Sequence, residues 1–532
     1  MSDLPSQPAV DVSRPAGLAN HRILEGGCCV VLATVAAVLA FYRLGATMPW
    51  ADEMQTVGYC LGTWADGLYL ATHSQNMPVG YWLISKVLLS VTGPGFLTMR
   101  AASGVASVLF AVLVFRLVLR WLPLPVAAMA TLVVVTHPAL VWHARDGRVY
   151  AILLLAEAAS VALLTARPFR GRAALWAATA VAMVYLHHHA VFVLAVEVLI
   201  ILEQRMALRR VLPWVAVLVA PDVLFIYWAM HSPNVASQMF GDGQTFGPNV
   251  MMAIERLGAG VSEMVCPPDV GIPGWIQLPI PAGWRQAVGG AILIVPTLIT
   301  AVRGRALHSW LGLAVVWLLV VPAVVHDALD VFYEPRFIVA VIPLAAAWAV
   351  GSLMLPFSRE PRTQGGLLWG HFPALAASAA LTGLFVWTDL AVIRPHISPY
   401  RPAQAAINAD LAARAGKIVM HPGYLIGCWH LPQGFETAGG VVLSETGAMV
   451  GVEKDMADEN AARYSPEMPW SRFRRDVVVG ESFTLIQGVP PFYPRNQVDF
   501  CTPDEPWDTG YRRERLWPDH PFVTIIRFEQ VP

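Results

Sequence analysis

Apolar runs of near-membrane length recur about every 25 residues along the first 394 positions. They predict spans over 24–44, 99–119, 123–141, 148–166, 173–187, 189–204, 211–230, 287–303, 307–325, 336–356 and 367–393. Most reach the roughly 20 residues a helix needs to cross a bilayer. The pair at 173–204 is short and reads as a tight helical hairpin. Residues 1–21 are polar and carry Pro5, Pro8 and Pro15, the pattern of a disordered tail. The first span reads as an uncleaved anchor, because no small-residue cleavage site follows a short apolar core. The predicted fold is a polytopic α-helical membrane protein with about 11 transmembrane helices, the catalytic part over 22–394.

Arginine fixes the orientation. Arg116 and Arg120, then Arg167, Arg170 and Arg172, then Arg205, Arg209 and Arg210, then Arg303 and Arg305, then Arg359 and Arg362 fill alternate loops. Those loops share a face, which the positive-inside rule makes cytoplasmic, together with the tail 1–21. The opposite loops hold few cations: Lys86, Arg100, Arg145, Arg148, Arg285 and Arg336. This parity bears on the apolar run 81–91. A crossing there would turn every later Arg-rich loop outward, so the run is expected to lie along the outer surface as an interfacial helix. Loops 45–98 and 231–286 are then extracytoplasmic. Beyond 394 charge and proline become frequent and no span follows. Residues 395–532 suffice for a small soluble α/β or α+β domain, with a helix over 404–414 and strands over 417–421, 476–480 and 522–528. The same parity places it outside.

Composition narrows the class. The chain is 56% hydrophobic and only 14% charged, unlike a soluble domain at about a quarter charged. A net charge of -1 excludes a strongly basic nucleic-acid binder. Six cysteines in 532 residues exclude a disulfide scaffold. Cys60, Cys266, Cys428 and Cys501 fall on the outer side, where a Cys428–Cys501 bridge is permitted.

Candidate chemistry gathers on the same side. Trp50-Ala51-Asp52-Glu53 follows the first span, where desolvation raises the basicity of a carboxylate and suits it to take a proton from a hydroxyl. A solvated charged pair is the plain alternative. Gln75-Asn76-Met77-Pro78-Val79-Gly80-Tyr81 leads into the interfacial run, with Pro78 suited to a helix start. Arg145-Asp146-Gly147-Arg148-Val149-Tyr150 opens the fourth span. Two arginines three apart on one helical face, at a helix N-terminus, make an anion site; an ion pair with Asp146 is the alternative. Phe332-Tyr333-Glu334-Pro335-Arg336 opens the tenth span similarly, unless Arg336 snorkels to lipid phosphate. His187-His188-His189 end the fifth span. On a helix consecutive side chains point about 100° apart and cannot share one metal, so one histidine in a polar cleft is expected and no metal site is assigned.

The order of these motifs resembles the C-type glycosyltransferases (GT-C) that use polyprenyl-phosphate sugars, and within them the protein mannosyltransferase and lipid A aminoarabinose transferase family. Members usually read His-Pro-Pro-Leu-Tyr-Tyr where this chain has Asn76-Met77-Pro78-Val79-Gly80-Tyr81. They usually read Arg-Glu-Ala-Arg-x-Tyr where it has Arg145-Asp146-Gly147-Arg148-Val149-Tyr150. Tyr185-Leu186-His187 is similar to their Tyr-Thr-His. The resemblance covers roughly 20–400 and implies a GT-C-like enzyme of the cytoplasmic membrane. It implies a polyprenyl-phosphate sugar donor, a lipid, glycan or protein acceptor, and hexosyl or pentosyl transfer with inversion. Asp52 is the implied general base with Glu53 beside it. Arg145, Arg148 and Arg336 hold the donor phosphate, and Asn76, Tyr81, Tyr150, His187 and Tyr333 line the cavity. No nucleotide motif is visible, no cofactor is required by any motif, and metal dependence stays open.

Two rivals remain: a lipid-linked glycan flippase or transporter, and a sensor anchored by its spans. A transporter needs polar lining at mid-depth. Glu157, Glu197 and Asp222 are the acidic residues near span interiors.

Overall fold

The structure is a computed structural model. It describes residues 17–46, 53, 56–57, 60, 64–73, 78–93, 96–203, 206–230, 284, 287, 290–291, 294–298, 314–318, 320–321, 366–393, 417–421, 441–443, 449–450, 483–488, 511–515 and 523–530. The span expected at 336–356, the helix at 404–414 and the strand at 476–480 lie outside the described residues, as do Asp52, Asn76, Tyr333, Arg336, Cys266, Cys428 and Cys501.

The described helices are α1 (Gly17–Phe41), α2 (Trp64–His73), α3 (Val79–Thr92), α4 (Phe96–Val118), α5 (Leu124–Val135), α6 (Pro138–Arg145), α7 (Tyr150–Thr165), α8 (Arg172–Leu186), α9 (Ala190–Glu203), α10 (Leu212–Met230) and α11 (Gly366–Ile393). α4 is the hub, packed on α1, α5, α6 and α7; α7 packs on α8, and α11 on α5 and α6. Met99, Ser103, Ala106, Phe110, Val114 and Leu117 recur every three or four positions and make one buried stripe of α4. Leu97, Val105 and Leu109 on its other side stay about half exposed. α1 exposes Ile23, Val30 and Val38, and α10 exposes Trp214, Val217 and Leu224. Helices apolar all round, with large side chains left uncovered, suit a lipid surround. Among the described residues α1 and α4 carry stretches long and apolar enough to cross a bilayer, and α5 with α6 passes the same test as a broken pair.

The third span is not the single helix expected over 123–141. α5 ends at Val135, α6 starts at Pro138, and their axes bend by 59°. His137 caps α6 by accepting the Ala139 N–H on Nδ1 at 3.2 Å. Pro138 occupies the first turn, where its missing N–H costs nothing. The hydropathy of 123–141 runs through this cap–proline signal without registering it.

α3 covers the run expected to be interfacial. Its 14 residues span about 21 Å, short of the roughly 30 Å hydrocarbon core. Tyr81, Trp82, Ser85, Lys86 and Leu89 form its buried face, while Leu83, Val87 and Val91 are uncovered. Gly80 lets α3 come close to α8: a Cβ there would lie 2.7 Å from the Tyr185 carbonyl oxygen.

Six short strands are described beyond the helices: β1 (Lys417–His421), β2 (Val441–Leu443), β3 (Met449–Val450), β4 (Phe483–Gly488), β5 (Tyr511–Arg515) and β6 (Val523–Gln530). They form one mixed sheet in the order β3-β2-β1-β4-β6-β5. β1 pairs in parallel with β2 and β4, in register Val419 to Val441 and Lys417 to Phe483. β6 runs antiparallel to β4 and β5. β1 and β6 match two of the expected strands.

Candidate active site

The ends of α1, α4, α6, α7 and α8 meet at one end of the helical bundle, and the polar contacts there are nearly all long-range in sequence. At their centre is Glu53. Its Oε1 accepts from Arg100 Nε at 2.7 Å and from the Gly147 N–H at 2.6 Å. Its Oε2 accepts from Arg100 Nη2 at 2.5 Å. The pair is a forked, two-bond contact between groups only 3% and 1% exposed. Arg100 also donates to the Leu44 carbonyl at 3.1 Å and lies over the Phe96 ring. One guanidinium thus joins the end of α1, the start of α4 and the first loop. Burial pushes the Glu53 carboxyl above its ordinary value, while the Arg100 charge pulls it back.

The 145–150 motif departs from the expected helix start. Arg145 is the last residue of α6, Asp146 is extended, and α7 begins only at Tyr150. The two arginines therefore do not share one helical face: Arg145 ends α6 and Arg148 precedes α7. Arg145 Nη1 instead donates to the carbonyls of Leu39, Ala40 and Tyr42 at 2.9, 3.3 and 2.8 Å. It caps the C-terminus of α1, neutralising the negative end of that helix. Arg148 Nη1 donates to Thr56 Oγ1 at 3.0 Å, and its carbonyl accepts from Ser103 at 3.3 Å. Asp146 Oδ2 stands 3.9 Å from His143 Nδ1.

Gly147 is the pivot of this turn. Its N–H binds Glu53, and its carbonyl accepts the Tyr81 hydroxyl. An added Cβ would lie 3.0 Å from Met99 Cβ and 3.1 Å from Glu53 Oε1. Burial raises the Tyr81 hydroxyl well above its usual pKa, which keeps it the donor. Lys86 on α3 donates to the Cys60 carbonyl at 2.7 Å, a further hold on the first loop. Tyr150 opens α7 with its ring 5.6 Å from His187 and 4.5 Å from His143.

Of the residues expected at the site, Glu53, Tyr81, Arg145, Arg148, Tyr150 and His187 are described, and all six stand at this end of the bundle. Arg100 and Lys86 were not assigned there. Their signal was cation scarcity: both are among the few basic residues of the Arg-poor face. Asp389, near the end of α11, was also missed. It is 1% exposed, within electrostatic reach of Arg145, and neither carboxylate oxygen has a hydrogen-bond partner among the described residues. His187, His188 and His189 depart from the helical arrangement expected of them. They do not continue a helix: His187 is extended, at φ -162° and ψ 119°, between α8 and α9. All three offer ligand atoms within 4.8 Å of one another.

No family model matches the chain, and no curated protein matches it. Solved structures do. ArnT from Cupriavidus metallidurans bound to undecaprenyl phosphate superposes with a TM-score of 0.56 at 13% identity, over 94% of this chain and 98% of that one. The apo form of the same protein gives 0.55 at 13% identity, over 96% and 98%. At such identity the likeness is one of fold. This chain shares the fold of ArnT, with the helices of a polytopic membrane protein.

Proposed function

We propose that the protein is a glycosyltransferase of the cytoplasmic membrane, moving a hexosyl or pentosyl group from a polyprenyl-phosphate donor to an acceptor hydroxyl on the outer face. One observation carries the reading. Glu53, clamped by Arg100 and the Gly147 N–H, joins the first-loop acidic motif to the 145–150 motif, and Tyr81 of the Pro-Tyr element binds the same glycine. Three motifs far apart in sequence meet at one point. The shared fold with ArnT, crystallised with undecaprenyl phosphate, supports the donor class.

In this reading Asp52 is the base and Glu53 its anchor. Both Glu53 oxygens are already engaged by donors, which leaves it poorly placed to take a proton from substrate. Asp52 removes the acceptor proton, the hydroxyl oxygen attacks the anomeric carbon, and the bond from that carbon to the phosphate oxygen breaks. The polyprenyl phosphate leaves with the bonding pair, and the sugar is inverted. Arg148 and Arg336 bind the growing phosphate charge. Arg145 is reassigned from phosphate binding to holding α1, because its Nη1 serves three carbonyls. Tyr81, Tyr150, His187, Asn76 and Tyr333 shape the cavity. The arrangement has about 11 spans, with loops 45–98 and 231–286 and residues 395–532 outside.

The test is transfer of radiolabelled sugar by purified protein in lipid nanodiscs. Asp52→Asn keeps size and folding and loses about 10²–10⁴-fold in turnover. Wild-type turnover in a folded Asp52→Asn protein removes Asp52 from the mechanism.

One observation favours the flippase alternative. Glu197 Oε2 accepts from Ser160 at 2.7 Å and from Trp176 Nε1 at 3.0 Å, with Glu157 in electrostatic reach. This buried polar cluster joins α7, α8 and α9 away from the Glu53 end. Glu197→Gln abolishing lipid translocation, with no sugar transfer by the wild type, would favour that reading.

A further inference from the structure

The three histidines between α8 and α9 carry a further inference, at the edge of the cavity that the proposed function assigns in part to His187. His187 is extended and 188–189 form the turn into α9, closed by the Ala190 N–H donating to the His187 carbonyl at 2.9 Å. His187 Nδ1 and His189 Nδ1 come to 3.2 Å. The His189 N–H donates to His187 Nδ1 at 3.3 Å in the metal-free form, so an ion at this corner takes that lone pair over from the N–H. His187 and His189 are 5% and 6% exposed, and the His188 ring lies 4.9 Å from each by centroid. Two imidazole nitrogens on one tetrahedral zinc-class ion, each about 2.0–2.1 Å from it, stand roughly 3.4 Å apart. The observed pair has that bite already. One ring nitrogen from each of the three histidines lies within 4.8 Å of the others.

We propose that His187, His188 and His189 form a binding site for a divalent transition ion of the zinc class. Imidazole nitrogen suits zinc, cobalt or copper and not magnesium or calcium, which take oxygen. The ion ties the end of α8 to the start of α9. Tyr150, packed 5.6 Å from His187, sets the ring that faces it. The metal-free alternative is an N–H···N bond between His187 and His189, which needs no ion.

The experiment is Co²⁺ titration of tag-free, full-length protein in detergent, followed by visible absorption and metal analysis. The expected result is about one ion per chain with a tetrahedral-type spectrum, displaced by Zn²⁺ and not by excess Mg²⁺. His187→Gln and His189→Gln each weaken binding by more than the 10–100-fold that outer-shell changes cost. X-ray absorption of the Zn²⁺-loaded wild type needs no variant, and shows two or three imidazoles near 2.0–2.1 Å. No stoichiometric Co²⁺ uptake by wild type, or uptake unchanged in both variants, overturns the proposal. So does an all-oxygen or sulfur shell. None of these readouts involves the donor lipid, so the transferase reading stands or falls separately.

Discussion

Replacing Arg100 with Met probes the contact on which the candidate site depends. The substitution removes both guanidinium bonds to Glu53 and the bond to the Leu44 carbonyl, while the apolar stem is kept. Glu53 remains 1% exposed, held by the Gly147 N–H but facing no cation in that fork. Stranding one partner of a buried ion pair costs about 3–5 kcal/mol. The loss has a pH signature. Burial already raises the Glu53 pKa, and without the Arg100 charge it rises further. The protonated acid is then the form the fold prefers. The stability it contributes is full below the unfolded value near 4.3 and is lost as pH rises through the folded one. The deficit of Arg100→Met is therefore largest at pH 8 and shrinks toward pH 5. The double variant Arg100→Met/Glu53→Gln recovers part of the loss, because a neutral amide oxygen still accepts from Gly147. The assay is unfolding in mixed detergent micelles on a sodium dodecyl sulfate titration, followed by tryptophan fluorescence at pH 5, 6.5 and 8. An Arg100→Met protein as stable as wild type at all three pH values would falsify the anchoring role of this pair.

The remaining expectations concern the turn, the two arginines of the 145–150 motif, the late motif and the orientation. Gly147→Ala places a methyl 3.0 Å from Met99 Cβ and 3.1 Å from Glu53 Oε1, and costs about 1–3 kcal/mol of stability in the same titration. Arg145→Met, which uncaps α1, lowers stability with little change in donor affinity. Arg148→Ala weakens donor binding instead, and the reverse pattern refutes the reassignment. Arg336→Lys keeps part of the turnover and Arg336→Ala loses about 30- to 1000-fold, as for a charge-assisted contact of roughly 2–4 kcal/mol; equal activity of the two variants means Arg336 meets only bulk lipid. A reporter active only in the cytoplasm, fused after Pro532, stays silent, and a strong signal reverses the assigned topology.

What the chain determined by itself is what depends on local pattern. Continuous apolar runs can bury their backbone only as helices in lipid, so α1, α4, α7, α8, α9, α10 and α11 fall where hydropathy places them. The short run at 81–91 was visible as a helix too brief to cross. Cation scarcity on one set of loops marks Lys86, Arg100, Arg145 and Arg148 in the sequence alone. The break in the third span was legible too, in Thr136-His137-Pro138, but averaging over a membrane-length window hides a cap followed by proline. What only the tertiary structure decided are the pairings. Glu53 and Arg100 are 47 residues apart, and Arg145 reaches carbonyls more than 100 residues away. No spacing rule links such positions, because helix packing sets those distances. The same packing sets Arg145 Nη1 at the C-terminal carbonyls of α1. The histidines show the converse. Their helical spacing argued against convergence, yet the chain leaves the helix at His187, and the turn into α9 brings the His187 and His189 Nδ1 atoms to 3.2 Å.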